Sequence, residues 1–191
     1  MNTLFIDTHC EELLVALLTD GKVIKKIKSK EKSHSEILMP SIIKVLNDSN
    51  LKKEDLNEII VVNGPGSFTG IRIGVTVAKT LAYALKLNIK TITSLEAYGV
   101  SDNNDFDIIA FKDTKGFYSA IRKDGEYQDF EYRKTDDFNE YIKSNNYKCS
   151  TSTNIDLEKI YNYLKNKESI NPHAVNPVYI KRIDALKWLE S

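Results

Sequence analysis

The stretch Gly64-Pro-Gly-Ser-Phe-Thr-Gly-Ile-Arg-Ile-Gly74 is the one whose residue types most invite a chemical reading. Glycines between a buried strand and a helix are where α/β proteins aim free backbone N–H groups at an anion. Two nucleotide loops can be checked by spacing. A P-loop needs Gly-Lys-Ser/Thr after its first glycine, and no such run is present. A dinucleotide loop needs Gly-x-Gly-x-x-Gly after the first strand; here the third glycine position is Thr69 and the strand is the fourth. Packing is the third reading. Gly70, Gly74, Ala78 and Ala82 recur every four residues and form an almost bare stripe along one side of a helix. Such a stripe admits another backbone, either the chain's own sheet or a helix of another protein. The reading adopted is the outward one. Ile71 and Val75, with His34, Leu38, Ile42 and Leu46 of a helix opening at His34, would then complete a partner-binding patch, His34 serving there or in the cap region.

Other reactive side chains are scattered. Asp7 and Asp113 each end an apolar run, where an acid either holds a metal or caps a turn. His9 is either a general base beside Asp7 or an exposed turn residue, and no nucleophile stands next to it. Arg72 falls in the first turn of the helix expected over 71–87, the wrong end for a cation. A carboxylate or a phosphate would account for it, as would plain solvation. Asp7, Arg72 and Asp113 are therefore the candidate ligand or interface contacts. No metal site is expected, because His9, Cys10, His34, Cys149 and His173 have no zinc-ligand spacing.

The elements that must position these residues read clearly. Strands are expected at Thr3–Asp7, Leu13–Thr19 and Lys22–Lys28, the last two joined by an Asp20-Gly21 hairpin turn. A Ser33-x-x-Glu36 capping box opens a helix to about Asn47, with Pro40 bending its start. Glu58–Val62 is a strand, 71–87 a helix and Ile89–Thr93 a strand. Thr93-x-x-Glu96 is a second capping box. A polar linker follows at Ser101–Asp105, and then a weaker repeat: strands Asp107–Phe111, Tyr118–Arg122 and Tyr127–Tyr132, helix 135–143, strand Tyr147–Ser150 and helix 156–166. A last helix, Ile183–Leu189, is expected to pack back on the first half. The expected fold is α/β: a duplicated βββαβα of the ribonuclease H-like, actin/sugar-kinase class, with subdomains 1–100 and 101–191. Lys+Arg and Asp+Glu are both 27 in 191 residues, so the chain lacks the basic excess for gripping RNA alone. No run approaches a membrane span, no signal peptide opens the chain, and two cysteines suit a reducing cytoplasm.

The glycine run resembles the signature of the TsaB (YeaZ) family. Ile6-Asp7-Thr8, His34-Ser-Glu-Ile-Leu-Met-Pro40 and Asn176-Pro-Val-Tyr-Ile-Lys-Arg182 are similar to other parts of it. The resemblance is strong over 1–98 and near 176–182; the second half looks short for the family. It implies an actin/sugar-kinase fold and a non-catalytic scaffold for making threonylcarbamoyladenosine in tRNA. The implied partners are a TsaD-like catalytic subunit, bound through helices 34–47 and 70–86, and a TsaE-like ATPase. ATP, magnesium and the threonylcarbamoyl-adenylate would belong to that complex, as would tRNA, leaving this chain no cofactor of its own. Alone, the same face would give a homodimer. Catalytic relatives of this fold have a glycine turn after the first acid and a His-x-x-x-His metal pair. Here the turn is Thr8-His-Cys-Glu-Glu12, without glycine and with two acids, and the matching pair is Ser94 and Tyr98. The turn after Asp113 has one glycine, Gly116. The alternatives are an ATP-dependent kinase of the same fold, and a peptidase, for which no Ser/His/Asp or zinc constellation is seen.

Overall fold

The computed structural model describes residues 1–30 and 33–181. Strands β1 (Asn2–Asp7), β2 (Leu13–Thr19) and β3 (Lys22–Ser29) form an antiparallel meander. Asp20 (φ 49°) and Gly21 (φ 79°) both take the left-handed conformation that a two-residue hairpin turn needs. Helix α1 (His34–Asp48) returns the chain so that β4 (Glu58–Val62) joins parallel to β1. Helix α2 (Phe68–Leu85) does the same for β5 (Asn88–Ile92), giving the order β3-β2-β1-β4-β5. Strand β4 is buried along its whole length, which is why residues 59–62 read as an unbroken apolar run.

Helix α3 (Ser94–Ser101) leads to the second half: β6 (Ile108–Asp113), β7 (Gly116–Lys123), β8 (Glu126–Lys134), helix α4 (Thr135–Asn145), the two-residue β9 (Cys149–Ser150) and helix α5 (Leu157–Leu164). The second sheet is ordered β8-β7-β6-β9. β9 pairs parallel to β6 as β4 pairs parallel to β1, so the repeat extends to strand pairing. The expected last helix, 183–189, lies outside the described residues.

The caps divide. Thr93 and Glu96 form the reciprocal box: Glu96 N–H donates to Thr93 Oγ1 (3.1 Å) and Thr93 N–H to Glu96 Oε2 (2.8 Å). Ser33 makes no side-chain cap, its hydroxyl lying instead 3.1 Å from that of Ser35. Pro40 neither ends nor delays α1; it is exposed within the helix.

Alternate residues of the first sheet feed two cores. Leu4, Ile6, Val15, Ile59 and Val61 face α1 and α2. Phe5, Ala16, Leu18, Ile60 and Val62 face the other way, onto Ala97 of α3 and Leu157, Ile160 and Leu164 of α5. The second half thus returns to cover the first sheet. Buried Lys90 fastens this return: its Nζ lies 3.0 Å from a Glu58 carboxylate oxygen and donates to the Leu164 (3.0 Å) and Lys165 (3.3 Å) carbonyls at the C-terminus of α5. A paired charge with those acceptors avoids the penalty of a lone buried ammonium.

The small-residue stripe is turned inward, a correction to the outward reading. Gly70, Ile71, Gly74, Val75, Ala78 and Ala82 are all buried under the chain's own sheet, as are Leu38, Ile42 and Leu46 of α1. None of the nine can supply a partner-binding surface. The physical reason is the close approach of α2 to the end of β1. A Cβ on Gly70 would stand 2.1 Å from the Thr8 carbonyl oxygen, and one on Gly74 2.3 Å from Thr8 Oγ1. That hydroxyl donates to the Gly70 carbonyl at 2.7 Å. Gly74→Leu should therefore lower folding stability by about 1–3 kcal/mol through overpacking. Chemical denaturation measures it, and an unchanged midpoint would contradict the inward packing.

Candidate functional site

The C-terminal end of β1 holds a buried polar chain. Asp7 and His9 are each 2% exposed. Asp7 Oδ1 accepts the His9 backbone N–H (3.0 Å) and lies 2.6 Å from His9 Nδ1. The other ring nitrogen, Nε2, lies 2.7 Å from the Tyr98 hydroxyl on α3. With Nδ1–H donating to Asp7 and the Tyr98 O–H donating to Nε2, all three groups are satisfied. Burial, and then the Asp7 charge, push the Tyr98 phenol pKa upward, so it keeps its proton. Phe111 of β6 packs edge-on against both rings, with centroids 6.0 Å from His9 and 5.5 Å from Tyr98.

This overturns the reading of His9 as an exposed turn residue. Asp7 does act as a turn-capping acid, and its carboxylate also serves the imidazole. Both His9 ring nitrogens are engaged and the ring is buried. Neighbouring Cys10 is no nucleophile: burial, then the Asp7 charge, push its thiol up to about 11, leaving it protonated at neutral pH. Ser94, like Tyr98, bonds inward, its Oγ donating to the Pro65 carbonyl at 2.7 Å. Among the described residues no three His, Cys, Asp or Glu side chains gather as a metal site.

The glycine loop is a junction of backbones. Gly66 (φ +153°) has no room for a Cβ, which would meet the His9 carbonyl oxygen at 2.3 Å. Ser67 N–H donates to that same oxygen at 2.7 Å. On the loop's other side runs a strap, residues 172–181. Val178 N–H donates to the Asn63 carbonyl (2.7 Å), and Asn63 Nδ2 donates to that of Asn176 (3.1 Å). The strap follows α2 from end to start. His173 meets Tyr83, Tyr179 meets Phe68, and Lys181 ends 2.7 Å from the Asp113 carboxylate. Burial works against the Asp113 charge, but the Lys181 ammonium and the Thr114 N–H outweigh it and hold the carboxyl below its usual range. Asp113 is thus occupied by the strap.

Helix α2 begins at Phe68, three residues earlier than expected, so Arg72 lies beyond its first turn and largely escapes the dipole penalty. Its companions are aromatic. The guanidinium lies 3.7 Å from the Phe68 ring centroid, and Nε donates to the Tyr179 hydroxyl at 2.7 Å. His34 is half-buried, with Nε2 3.1 Å from the Glu11 carbonyl oxygen. The sequence reading missed the outward faces of the two helices. Met39 and Ile43, one turn apart on α1, and Phe68 and Tyr83 on α2 are exposed, Ile43 at 52% and Tyr83 at 66%. Their signal was present as large apolar residues flanking the buried stripe.

Two sheets of duplicated topology, with helices on the faces of the first, place the chain in the actin/sugar-kinase-like fold class. It belongs to the family described as "TsaD: tRNA N6-adenosine threonylcarbamoyltransferase", whose pattern matches residues 23–131. It is 46% identical over 97 residues to the tRNA threonylcarbamoyladenosine biosynthesis protein TsaB of Bacillus subtilis, covering 50% of this chain and 42% of that protein. To the Escherichia coli protein of the same name it is 35% identical over 95 residues, covering 50% and 41%. The matched stretch is thus less than half the length of either relative. The solved structure of YeaZ from Pseudomonas aeruginosa superposes with a TM-score of 0.75 at 18% identity, covering 93% of this chain and 100% of that one. That likeness establishes the shared fold across both halves.

Tyr98→Phe should cost about 1–3 kcal/mol, the penalty for leaving buried Nε2 without a partner. It should also shift the His9 Nε2 nitrogen resonance. Unchanged stability with an unchanged imidazole spectrum would refute the Asp7–His9–Tyr98 chain.

Proposed function

We propose that this chain is a non-catalytic dimerisation subunit of a complex that makes N6-threonylcarbamoyladenosine in tRNA. Its role is to bind and support a TsaD-like catalytic subunit. The observation that carries this is the outward face of α1 and α2, where Met39, Ile43, Phe68 and Tyr83 present apolar surface to water. Exposed apolar side chains on two neighbouring helices are the kind of surface that marks an interaction site. The docking residues are on the exposed flanks of these helices. The names of the relatives supply the pathway, and the engaged state of Asp7, His9 and Asp113 supports a scaffold over an ATP-dependent kinase of the same fold.

On this reading ATP, magnesium and the adenylate intermediate belong to the complex, to which a TsaE-like ATPase also contributes. With zero net charge the chain meets tRNA only through its partners. Without them the same face closes on a second copy as a two-fold dimer in the cytoplasm. Among the described residues no helix is long and apolar enough to cross a membrane.

Ile43→Asp tests the proposal. Ile43 is exposed, so folding should change by no more than about 0.5 kcal/mol. Burying the new carboxylate should weaken binding to the purified catalytic subunit at least tenfold by calorimetry. Undiminished affinity, or tight ATP binding by the isolated chain, would sink the scaffold reading.

A further inference from the structure

The apolar face explains why helices α1 and α2 would be covered, but not which partner chemistry fits. Arg72 supplies that information. Its Nε is spent on the Tyr179 hydroxyl and its Cζ lies over the Phe68 ring, so the fork is held at two points. Among the described residues no carboxylate comes within ion-pair distance of it, and the two terminal nitrogens have no protein acceptor. Lys79, seven residues on and so on the same side about 10 Å away, likewise has no carboxylate; its Nζ donates only to the His173 carbonyl, at 3.3 Å. Helix α2 contains no Asp or Glu at all. Elsewhere the pattern differs: Lys25 and Lys44 both pair with Asp48, and Lys28 with Glu12.

Resting on the docking reading above, we propose that Arg72, with Lys79 behind it, is the electrostatic anchor of that surface. The anchor receives a carboxylate carried by the partner protein. A fixed guanidinium presents two parallel N–H donors that match a carboxylate edge-on. The charge is bordered by exposed Phe68 and Tyr179 rings, which exclude water once covered and strengthen the pair. A phosphate would satisfy the same fork. A nucleic-acid backbone, however, would leave these apolar groups in water, and it asks for a larger cationic field than two charges on a neutral chain. The geometry therefore favours a protein acid. Tyr179 is a positioning residue here, since its hydroxyl holds the fork without contacting the partner's carboxylate.

The test uses the full chain and the purified TsaD-like subunit of the same organism, with calorimetric affinities at 50 and 300 mM NaCl. Arg72→Ala should raise Kd about tenfold or more and flatten its salt dependence, with thermal stability retained. Arg72→Lys, which keeps the charge and loses the fork, should recover only a small part. Tyr179→Phe should weaken binding less than Arg72→Ala does. Lys26→Ala on β3 removes a charge elsewhere and should change nothing. If the wild type binds and Ile43→Asp abolishes binding while Arg72→Ala does not alter it, the anchor is refuted and the docking face stands. If the wild type does not bind, both fall. If Arg72→Ala instead abolishes binding of the isolated chain to a fluorescent tRNA and spares the protein complex, the site serves phosphate and the inference is overturned.

Discussion

The architecture depends on one close contact, the seating of α2 on the end of β1. Two glycines a helical turn apart bring the helix backbone to within hydrogen-bond reach of Thr8, and the Thr8 hydroxyl closes the gap. That contact fixes the angle at which α2 leaves the glycine loop. It therefore also fixes where the loop lies against the turn after β1 and against the strap. Any side chain at either glycine would lift the helix and disturb all three. Helix α2 is bare on this side because its own sheet needs the room.

The same contact explains the state of the turn after β1. With the loop pressed on the His9 carbonyl, the turn after β1 is folded inward and its imidazole is driven between Asp7 and Tyr98. Phe111, from the second sheet, closes over the ring. A buried and fully bonded Asp–His–Tyr chain stabilises the junction of the two halves by the satisfaction of its members. The opposing acid, Asp113, is engaged by Lys181 at the end of the strap. Both acids that end the first strands of their sheets, Asp7 and Asp113, are thus tied into contacts within the chain.

Much of this was legible in the residues. Period-two and period-3.6 patterns placed the strands and helices, and the Asp20-Gly21 turn fixed the first meander, because those signals are local. The Thr93 box formed as its spacing said. The direction of the bare stripe was not legible: periodicity shows that a helix has a small-residue side without saying what lies under it. Nor was the role of His9, since its partners are two residues away on one side and eighty-nine on the other. The Arg72 site needed Tyr179, more than a hundred residues on, and so was visible only as a cation without an obvious neighbour.

The surface that remains available follows from what the sheet edges do. Exposed edges are templates for unwanted pairing. On β3 the outward positions Lys22, Lys26 and Lys28 charge the edge. On the opposite edge, β5 is bridged at Ile89 by Ile170, and its Lys90 is tied into α5. In the second sheet β9 is only two residues long, and β8 carries Asp129 at φ 53° beside a register shift. Each edge is thereby made a poor partner for another strand. Helices α1 and α2, by contrast, satisfy their backbone groups internally and turn side chains alone to the outside, among them Met39, Ile43, Phe68 and Tyr83. A helix face offers side-chain selectivity that a strand edge lacks.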